Sequence, residues 1–219
     1  MSWRFIACTV LFVTCLLTAN TIATKLITVG GIILTAGVVI FPLSYVLGDV
    51  LTEVWGYAAS RRVIWLGFAC NGLMVAAIWL GGAIPAAPFW KGQGAYDEIL
   101  GQTPRILAAS FVAYLAGEFA NAFVLARMKI LTRGRWLWTR TIGSTVVGQA
   151  LDTAVFVTLA FAGSVPGGVL AGLVAGQWAV KVAYEAAATP LTYAAVAYLK
   201  ASERVDTYDH DTDFNPIRF

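Results

Sequence analysis

Residues 32–62 read IILTAGVVIFPLSYVLGDVLTEVWGYAASRR, and this stretch decides the fold. Its first half is an unbroken apolar run, and about 20 such residues suffice for a helix to cross a hydrocarbon core of about 30 Å. Asp49 and Glu53 then lie one helical turn apart, before any loop begins. The stretch therefore predicts a membrane helix whose end carries two carboxylates, followed by Arg61 and Arg62.

The composition of the whole chain supports the same fold class. Of 219 residues, 59% are hydrophobic and 12% are charged, whereas soluble domains average roughly 45–50% and 25%. We expect an all-α membrane protein, because the apolar runs are continuous, whereas the strands of a barrel alternate. Six transmembrane helices are predicted in one bundle, residues 1–201, followed by a polar cytoplasmic tail, residues 202–219. Their approximate bounds are 4–24, 29–50, 62–83, 106–126, 140–162 and 168–199, and the last is long enough to need a tilt, a kink at Pro190 or an extension.

The basic residues indicate the orientation of the bundle. If the N-terminus is cytoplasmic, only Lys25, Lys91 and Arg105 lie outside, and Lys181 lies inside a span. The other 11 of the 15 Lys and Arg residues then lie in the cytoplasm. The positive-inside rule therefore predicts that both termini are cytoplasmic. The basic residues are then a topology signal, so no nucleic acid partner is expected.

The sequence argues against several other functions. Cys8, Cys15 and Cys70 all fall within predicted spans, which disfavours a disulfide framework or a zinc site. No P-loop motif occurs, so we do not expect this chain to hydrolyse ATP. An intramembrane enzyme is the weakest alternative, because the only histidine, His210, lies in the tail and no GxSxG motif is present. We therefore predict no catalytic residue, cofactor or metal.

Three other segments have mainly structural interpretations. Residues 81–105 are expected to form a partly ordered interfacial loop, with a lid over a site as the alternative. Gly168, Gly172 and Gly176 recur every fourth residue, which favours packing within the bundle and leaves a homodimer seam as the alternative. The acidic tail lacks the Gly and the closing Glu of a calcium loop, so it is expected to be solvated or loosely docked.

The predicted spans carry polar residues at helical spacing. Residues three or four apart share one face of a helix, so several spans present a polar stripe, and we expect these stripes to face a common interior. The residues are Asn20 in the first span, Asp49 and Glu53 in the second, Glu118 and Asn121 in the fourth, Gln149 and Asp152 in the fifth, and Gln177, Trp178, Lys181 and Glu185 in the sixth.

Acids outnumber bases in these spans. The only bases are Lys181 and, at the rim, Lys25, and burying an unpaired ionisable group in a bilayer costs at least about 2.5 kcal/mol. Either some carboxylates are protonated, or the interior holds a cation or a ligand rich in hydrogen-bond donors. The acids are Asp49, Glu53, Glu118, Asp152 and Glu185.

Structural explanations of the same residues stay open at this stage. Lys181 and Glu185 are spaced for an ion pair within one helix. Asn121 and Gln149 are of the type that forms hydrogen bonds between membrane helices. The carboxylate pair of the second span is also compatible with a position at the cytoplasmic interface, where Glu53 would pair with a loop arginine.

The polar residues lie in blocks that resemble a known family. Five sequence blocks of this chain look like blocks that occur in the same order in the queuosine precursor transporters, which are also described as vitamin-uptake-transporter-like proteins. The resemblance spans nearly the whole chain and implies a bacterial inner-membrane protein that imports 7-deazaguanine precursors of queuosine, such as preQ0 or preQ1, for salvage into tRNA. The blocks are NTIATKL, FPLSYVLGDVLTEVWGYAASRRVIWLGF, TPRILAASFVAYLAGEFANAFVLARMK, RGRWLWTRTIGSTVVGQALDTAVFVTLAFAG and KVAYEAAATPLTY.

The resemblance also implies a set of substrate-binding residues. A guanine-like edge offers adjacent N–H donors, which a carboxylate accepts in a bidentate way, and Trp178, Tyr114 or Phe156 would stack on the base. Ala122 departs from the family pattern, where a small hydroxyl residue is expected. The motif positions are Asn20 and Lys25, Asp49 and Glu53, Glu118 and Asn121, Gln149 and Asp152, and Lys181 and Glu185.

Two modes of transport fit this sequence. One is a stand-alone carrier that works by alternating access between helices. The other is a substrate-binding subunit that borrows an ATPase motor, as the small membrane subunits of energy-coupling factor transporters do. Both bind a small deazapurine base inside a lipid bilayer.

Overall fold

The computed structural model describes residues 2–23, 25–29, 32–101, 104–163 and 166–217. These residues form seven α-helices and one β-hairpin, so the helical fold class is confirmed, with a small exception. The elements are α1 (Trp3–Ile22), β1 (Leu26–Val29), β2 (Ile32–Thr35), a short 3-10 helix (Ala36–Val39), α2 (Phe41–Trp55), α3 (Tyr57–Ala83), α4 (Gln93–Leu100), α5 (Pro104–Leu131), α6 (Leu137–Phe161) and α7 (Gly167–Glu203).

Four helices, α1, α3, α5 and α6, are long and apolar enough to cross a membrane. The chain is therefore a multi-pass membrane protein. The helix α2 has 15 residues and measures about 22 Å at 1.5 Å per residue. The helix α7 has 37 residues, but Gln177, Lys181 and Glu185 interrupt its apolar sequence. Length and composition thus support four of the six predicted spans.

The predicted second helix, residues 29–50, is wrong in its first half. Strands β1 and β2 pair antiparallel there, from Leu26 opposite Thr35 to Val29 opposite Ile32. The run is rich in β-branched residues and has a Gly-Gly pair at positions 30–31, which is the sequence signature of a tight hairpin. The helix starts only at Phe41, with Pro42 in its first turn, a position that tolerates proline.

A sharp break separates α2 from α3. Gly56 joins the two helices with a φ of +83°, a conformation that favours glycine because it has no Cβ. A Cβ at this position would also lie 2.7 Å from the Thr207 Cγ2 atom. The break turns the chain back at the end of α2, directly after Glu53 and Trp55.

Both chain termini lie at the same end of the bundle, which we call the terminal end. The Arg4 guanidinium contacts the Glu203 carboxylate at 3.2 Å, and the Phe5 ring packs on Trp55 at a centroid distance of 5.2 Å. The hairpin lies at the opposite end, where the 3-10 helix packs on the last turn of α1. Which side of the membrane the terminal end faces stays a prediction.

Two glycines set the spacing between α5 and α6. A Cβ on Gly117 would lie 2.7 Å from the Asp152 Cβ, and a Cβ on Gly148 would lie 2.8 Å from the Asn121 Cβ. Small residues let membrane helices approach closely. This close contact brings the polar stripe of α5 next to that of α6.

The glycine stripe of α7 behaves differently. A Cβ added to Gly168, Gly172 or Gly176 would meet no atom within 4 Å. The interpretation that these glycines pack within the bundle is therefore wrong, because no neighbouring backbone of the described chain approaches them. The homodimer alternative stays a prediction.

The segment between α3 and α5 is partly ordered, as expected. It contains α4, none of whose residues is buried, and the Tyr96 hydroxyl donates a hydrogen bond to the Ile78 carbonyl at 2.8 Å. No residue of α4 lines either of the two cavities described below.

The tail is exposed over much of its length, but it is docked through specific hydrogen bonds and not loosely, contrary to the prediction. It runs across the terminal end and bonds to α3: both Asp209 carboxylate oxygens accept from the Tyr57 backbone N–H at 3.1 Å. The Arg61 guanidinium donates to the carbonyls of Asp213 at 2.8 Å and Asn215 at 2.7 Å. Backbone and side-chain bonds together hold the tail against the start of α3.

Candidate functional site

Polar and charged side chains, most of them buried, form two clusters along α2. The inner cluster comprises Tyr45, Asp49, Glu118, Asn121, Thr145, Gln149, Asp152, Lys181 and Glu185. The terminal cluster comprises Glu53, Lys129, Arg140, Lys200 and Asp206. Asp49 belongs to the inner cluster and Glu53 to the terminal cluster, although the two residues lie one helical turn apart on α2 and are both fully buried.

Asp49 joins α2 to α5 in the inner cluster. The Asn121 side-chain amide donates a hydrogen bond to Asp49 Oδ1 at 2.7 Å. Asp49 Oδ2 and Asn121 Oδ1 are buried and have no partner among the described residues. Glu185 and Glu118 act electrostatically on Asp49, so α2, α5 and α7 all bring an acid to this region.

A second group of unpartnered atoms lies between α6 and α7. Thr145 Oγ1, Gln149 Oε1 and Glu185 Oε1 are buried and lack a hydrogen bond within the described chain. These three residues line one cavity together with Tyr45 and Lys181. Buried polar atoms without partners are rare in proteins and call for a water, an ion or a ligand.

Asp152 and Lys181 form an ion pair across α6 and α7. The Lys181 ammonium lies 2.7 Å from Asp152 Oδ2 and 3.4 Å from Thr153 Oγ1. It also lies 5.0 Å from the centre of the Phe41 ring at the start of α2. The hypothesis of a Lys181–Glu185 pair is therefore wrong, because Lys181 reaches across to α6, and no described cation pairs with Glu185.

Glu118 lines a separate cavity between α1, α2, α3 and α5. The residue is 3% exposed, and within the part of the chain described here its carboxylate has neither a hydrogen bond nor an ion pair. Gly48 of α2 faces it, since a Cβ there would lie 3.5 Å from Glu118 Oε2. Phe12, Asn121 and Ala122 also line this cavity.

Both cavities are too small for a nucleobase in this conformation. Each has about 10 Å³ of space, which is room for about one water molecule. The structure therefore represents a closed state, and a larger ligand would require the helices around α2 to separate.

The terminal cluster is centred on Glu53. Arg140 forms a bidentate pair with it, with Nε at 2.7 Å from Oε2 and Nη2 at 2.8 Å from Oε1. The Lys200 ammonium donates to Oε1 at 2.6 Å, and the Lys129 ammonium donates to the Glu53 carbonyl at 2.6 Å. Glu53 is therefore fully paired, and its arginine partner belongs to helix α6 instead of the loop that the sequence suggested.

The tail completes the terminal cluster. Asp206 Oδ1 lies 2.6 Å from the Lys129 ammonium and 2.8 Å from that of Lys200. Partial burial by itself would raise the pKa of Asp206, but these two ammonium groups lower the pKa below its ordinary value. The cluster thus ties the tail to α2, α5, α6 and α7 at the terminal end.

Sequence reasoning missed three members of the terminal cluster. Lys129, Arg140 and Lys200 were expected to be cytoplasmic topology signals, yet Lys129 and Arg140 are 1% and 2% exposed. The signal was the helical stripe: Lys129 continues the face of Asn121 after two turns, and Lys200 continues that of Glu185 through Thr189 and Thr192. Extending each stripe to the end of its helix would have found them.

Several predicted site residues form no hydrogen bond with the unpartnered atoms of the inner cluster in the described chain: Asn20, Lys25, Trp178 and Tyr114. Asn20 donates to Asn71 of α3 at 3.1 Å, and Lys25 is exposed. The Trp178 indole donates to the Val146 carbonyl at 3.0 Å, and the Tyr114 hydroxyl donates to the Ile64 carbonyl at 3.0 Å. These contacts join helices, and no group of His, Cys, Asp and Glu among the described residues is arranged to hold a metal ion.

Comparison with known proteins gives consistent matches. A family model described as "Putative vitamin uptake transporter" matches residues 35–195. The chain is 30% identical over 189 residues to the probable queuosine precursor transporter of Bacillus subtilis (strain 168), covering 85% of this chain and 82% of that protein. It is also 30% identical over 130 residues to the queuosine precursor transporter of Escherichia coli (strain K12), covering 58% of this chain and 55% of that protein. No solved structure matches the chain significantly.

Proposed function

Because this chain belongs to the vitamin uptake transporter family, we propose that it imports 7-deazaguanine precursors of queuosine, such as preQ0 and preQ1, across the bacterial inner membrane. The names of its Bacillus subtilis and Escherichia coli relatives support the substrate. The structural observation that carries the proposal is the set of five buried, unpartnered polar atoms in the inner cluster, on Asp49, Asn121, Thr145, Gln149 and Glu185.

The chemistry of these atoms suits a guanine-like base. Four of the five are carboxylate or amide oxygens, which accept hydrogen bonds, and the fifth is a hydroxyl, which both accepts and donates. The edge of a 7-deazaguanine presents several N–H donors, and carboxylates and amide oxygens are suitable partners for them. Asp49 Oδ2 and Asn121 Oδ1 lie on the α2–α5 side, and Glu118 lines the cavity next to them. We assign the reading of the base edge to these three residues.

We further propose that six segments complete the membrane domain. The hairpin together with α2 would form the second segment and α7 the sixth, since both contribute residues to the inner cluster between the four apolar helices. The terminal end would face the cytoplasm, because Arg61, Arg62, Arg127, Arg133 and Arg135 belong to it.

Transport would follow an alternating-access cycle. The closed state described above is sealed at the terminal end by the tail and the terminal cluster, so substrate entering from the hairpin end would reach the inner cluster first. A stand-alone carrier would complete this cycle without a partner, whereas a subunit of an energy-coupling-factor type would need a motor. Uptake of a labelled precursor into liposomes that contain only the purified chain distinguishes the two modes.

The site assignment is tested by two substitutions in the inner cluster. Glu118→Gln and Asp49→Asn should abolish precursor salvage in a strain that depends on uptake, measured as queuosine in its tRNA, at unchanged protein level. Glu203→Gln is the matched control, because this carboxylate lies at the terminal end and contacts the half-exposed Arg4. If both inner-cluster variants restore queuosine as well as the control does, the assignment is wrong.

A further inference from the structure

We propose that Thr145, Gln149 and Glu185 form a subsite for a primary ammonium group on the substrate, so that the transporter prefers precursors with a cationic side chain. This inference rests on the proposed function and adds a selectivity to it. Its basis is the cavity between α2, α6 and α7, which is lined by these three residues and by Phe41, Tyr45 and Lys181.

The number and kind of unpartnered atoms in this cavity match an ammonium group. Thr145 Oγ1, Gln149 Oε1 and Glu185 Oε1 are all free to accept a hydrogen bond, and the three residues are only 1%, 2% and 1% exposed. A primary ammonium has three N–H donors and no acceptor. One such group would satisfy all three atoms, whereas a nitrile, which accepts but does not donate, could pair only with the Thr145 hydroxyl.

The charges around the cavity also favour a cation. Lys181 lines the same cavity, but its ammonium is already paired with Asp152 at 2.7 Å, so this pair is close to neutral. Glu185 has no cation of its own, and Asp49 and Glu118 are the other acids of the inner cluster without an ion pair in the described chain. A cation on the ligand would therefore supply the countercharge that these three acids lack among the described residues.

The position of the cavity fits a substituent attached to a base. Helix α2 packs against both α5 and α7, so the atoms assigned to the base edge, on Asp49 and Asn121, lie on helices next to the one that carries Glu185. A base held by Asp49 and Asn121 would direct its substituent across α2 towards α6 and α7.

The experiment compares two deazaguanines that differ in charge. Equilibrium binding of the purified full chain is measured for 7-aminomethyl-7-deazaguanine, which is cationic, and for 7-cyano-7-deazaguanine, which is neutral. We expect the cationic compound to bind about 10- to 100-fold more tightly, the range for hydrogen bonds to a charged group. Glu185→Gln should remove most of this preference, because it should weaken binding of the cationic compound far more than binding of the neutral one.

Thr145→Val provides a second variant that keeps the shape of the side chain and removes one acceptor, and Glu203→Gln is the control outside the cavity. The proposal is overturned if the wild-type chain binds both compounds equally, or if Glu185→Gln weakens both to the same extent. In either case the transport of deazaguanines still stands. Binding of neither compound would instead contradict the proposed function itself.

Discussion

Replacing Glu53 by Gln should destabilise the protein by about 3–5 kcal/mol, because removing one partner of a buried ion pair leaves the other charge uncompensated. Glu53 is fully buried, and Arg140 and Lys129 are 2% and 1% exposed. The substitution removes the charge that both of them face, while Asp206 remains as the only acid of the terminal cluster. Most of the cost falls on Arg140, whose Nε and Nη2 atoms both donate to Glu53.

This free energy translates into a measurable melting temperature. For a chain of this size, 1 kcal/mol shifts Tm by about 2–4 °C, so Glu53→Gln should lower Tm by about 6–20 °C. The assay is thermal unfolding of the purified chain in detergent, followed by the fluorescence of its 8 tryptophans. Wild type and variant are compared at the same detergent concentration and heating rate.

Two further variants identify the cause of the shift. Glu203→Gln removes a carboxylate that contacts Arg4, whose side chain is 45% exposed, so its effect on Tm should be small. The double variant Glu53→Gln/Arg140→Gln should recover part of the lost stability, because the uncompensated guanidinium is gone. Equal Tm values for Glu53→Gln and Glu203→Gln would refute the reasoning.

Two predictions concern the tail. Asp209→Ala leaves the backbone N–H at the start of α3 without its acceptor, so the tail should detach more often. Trypsin should then cleave after Arg204 about 5- to 150-fold faster, which is the range expected for one unsatisfied buried donor. An unchanged cleavage rate would contradict the capping role of Asp209. Asp206 has a pKa below its ordinary value of 3.8, so its contribution to tail docking is complete above about pH 4 and is lost as the pH falls through the lower, folded-state pKa. A fluorophore on the tail should therefore report release of the tail as the pH falls below about 4. Asp206→Asn should flatten this pH dependence. Identical pH profiles of the wild type and the variant would count against this role of Asp206.

The helices could be predicted from the sequence, but the second span could not. Continuous apolar runs predict long helices, and this pattern located α1, α3, α5, α6 and α7; the first four of these are also apolar enough to cross a membrane. In residues 26–35 the same apolar character occurs with β-branched side chains around a Gly-Gly pair, and hydropathy does not distinguish a short apolar strand from a helix. The hairpin was therefore predicted as the start of a helix that begins only at Phe41.

The members of the site were predictable, but their pairing was not. Helical spacing identifies which residues share a face, and it correctly placed Asp49, Glu118, Asn121, Gln149 and Asp152 in the buried interior. The pairing depends on how far one helix is shifted along another, which is set by contacts such as that between Gly117 and Gly148. Those contacts are not visible in the periodicity of any single helix.

The charge balance also required the three-dimensional structure. Counted along the sequence, five acids faced Lys181 and the peripheral Lys25. In the fold, Glu53 is paired with cations from the ends of three other helices, and Asp152 is paired with Lys181. The excess is therefore smaller than the sequence indicates and is confined to three residues.

The two carboxylates of α2 thus have different roles although they are one turn apart. Glu53 lies where α2 ends, and the charged ends of α5, α6 and α7 meet there, so its charge is used to hold the closed terminal end together. Asp49 lies one turn deeper, where Asn121 donates to one of its oxygens and the other has no partner among the described residues. A helix that carries both groups connects the closure of the terminal end to the inner cluster, because any shift of α2 that breaks the Glu53 pairs also moves Asp49.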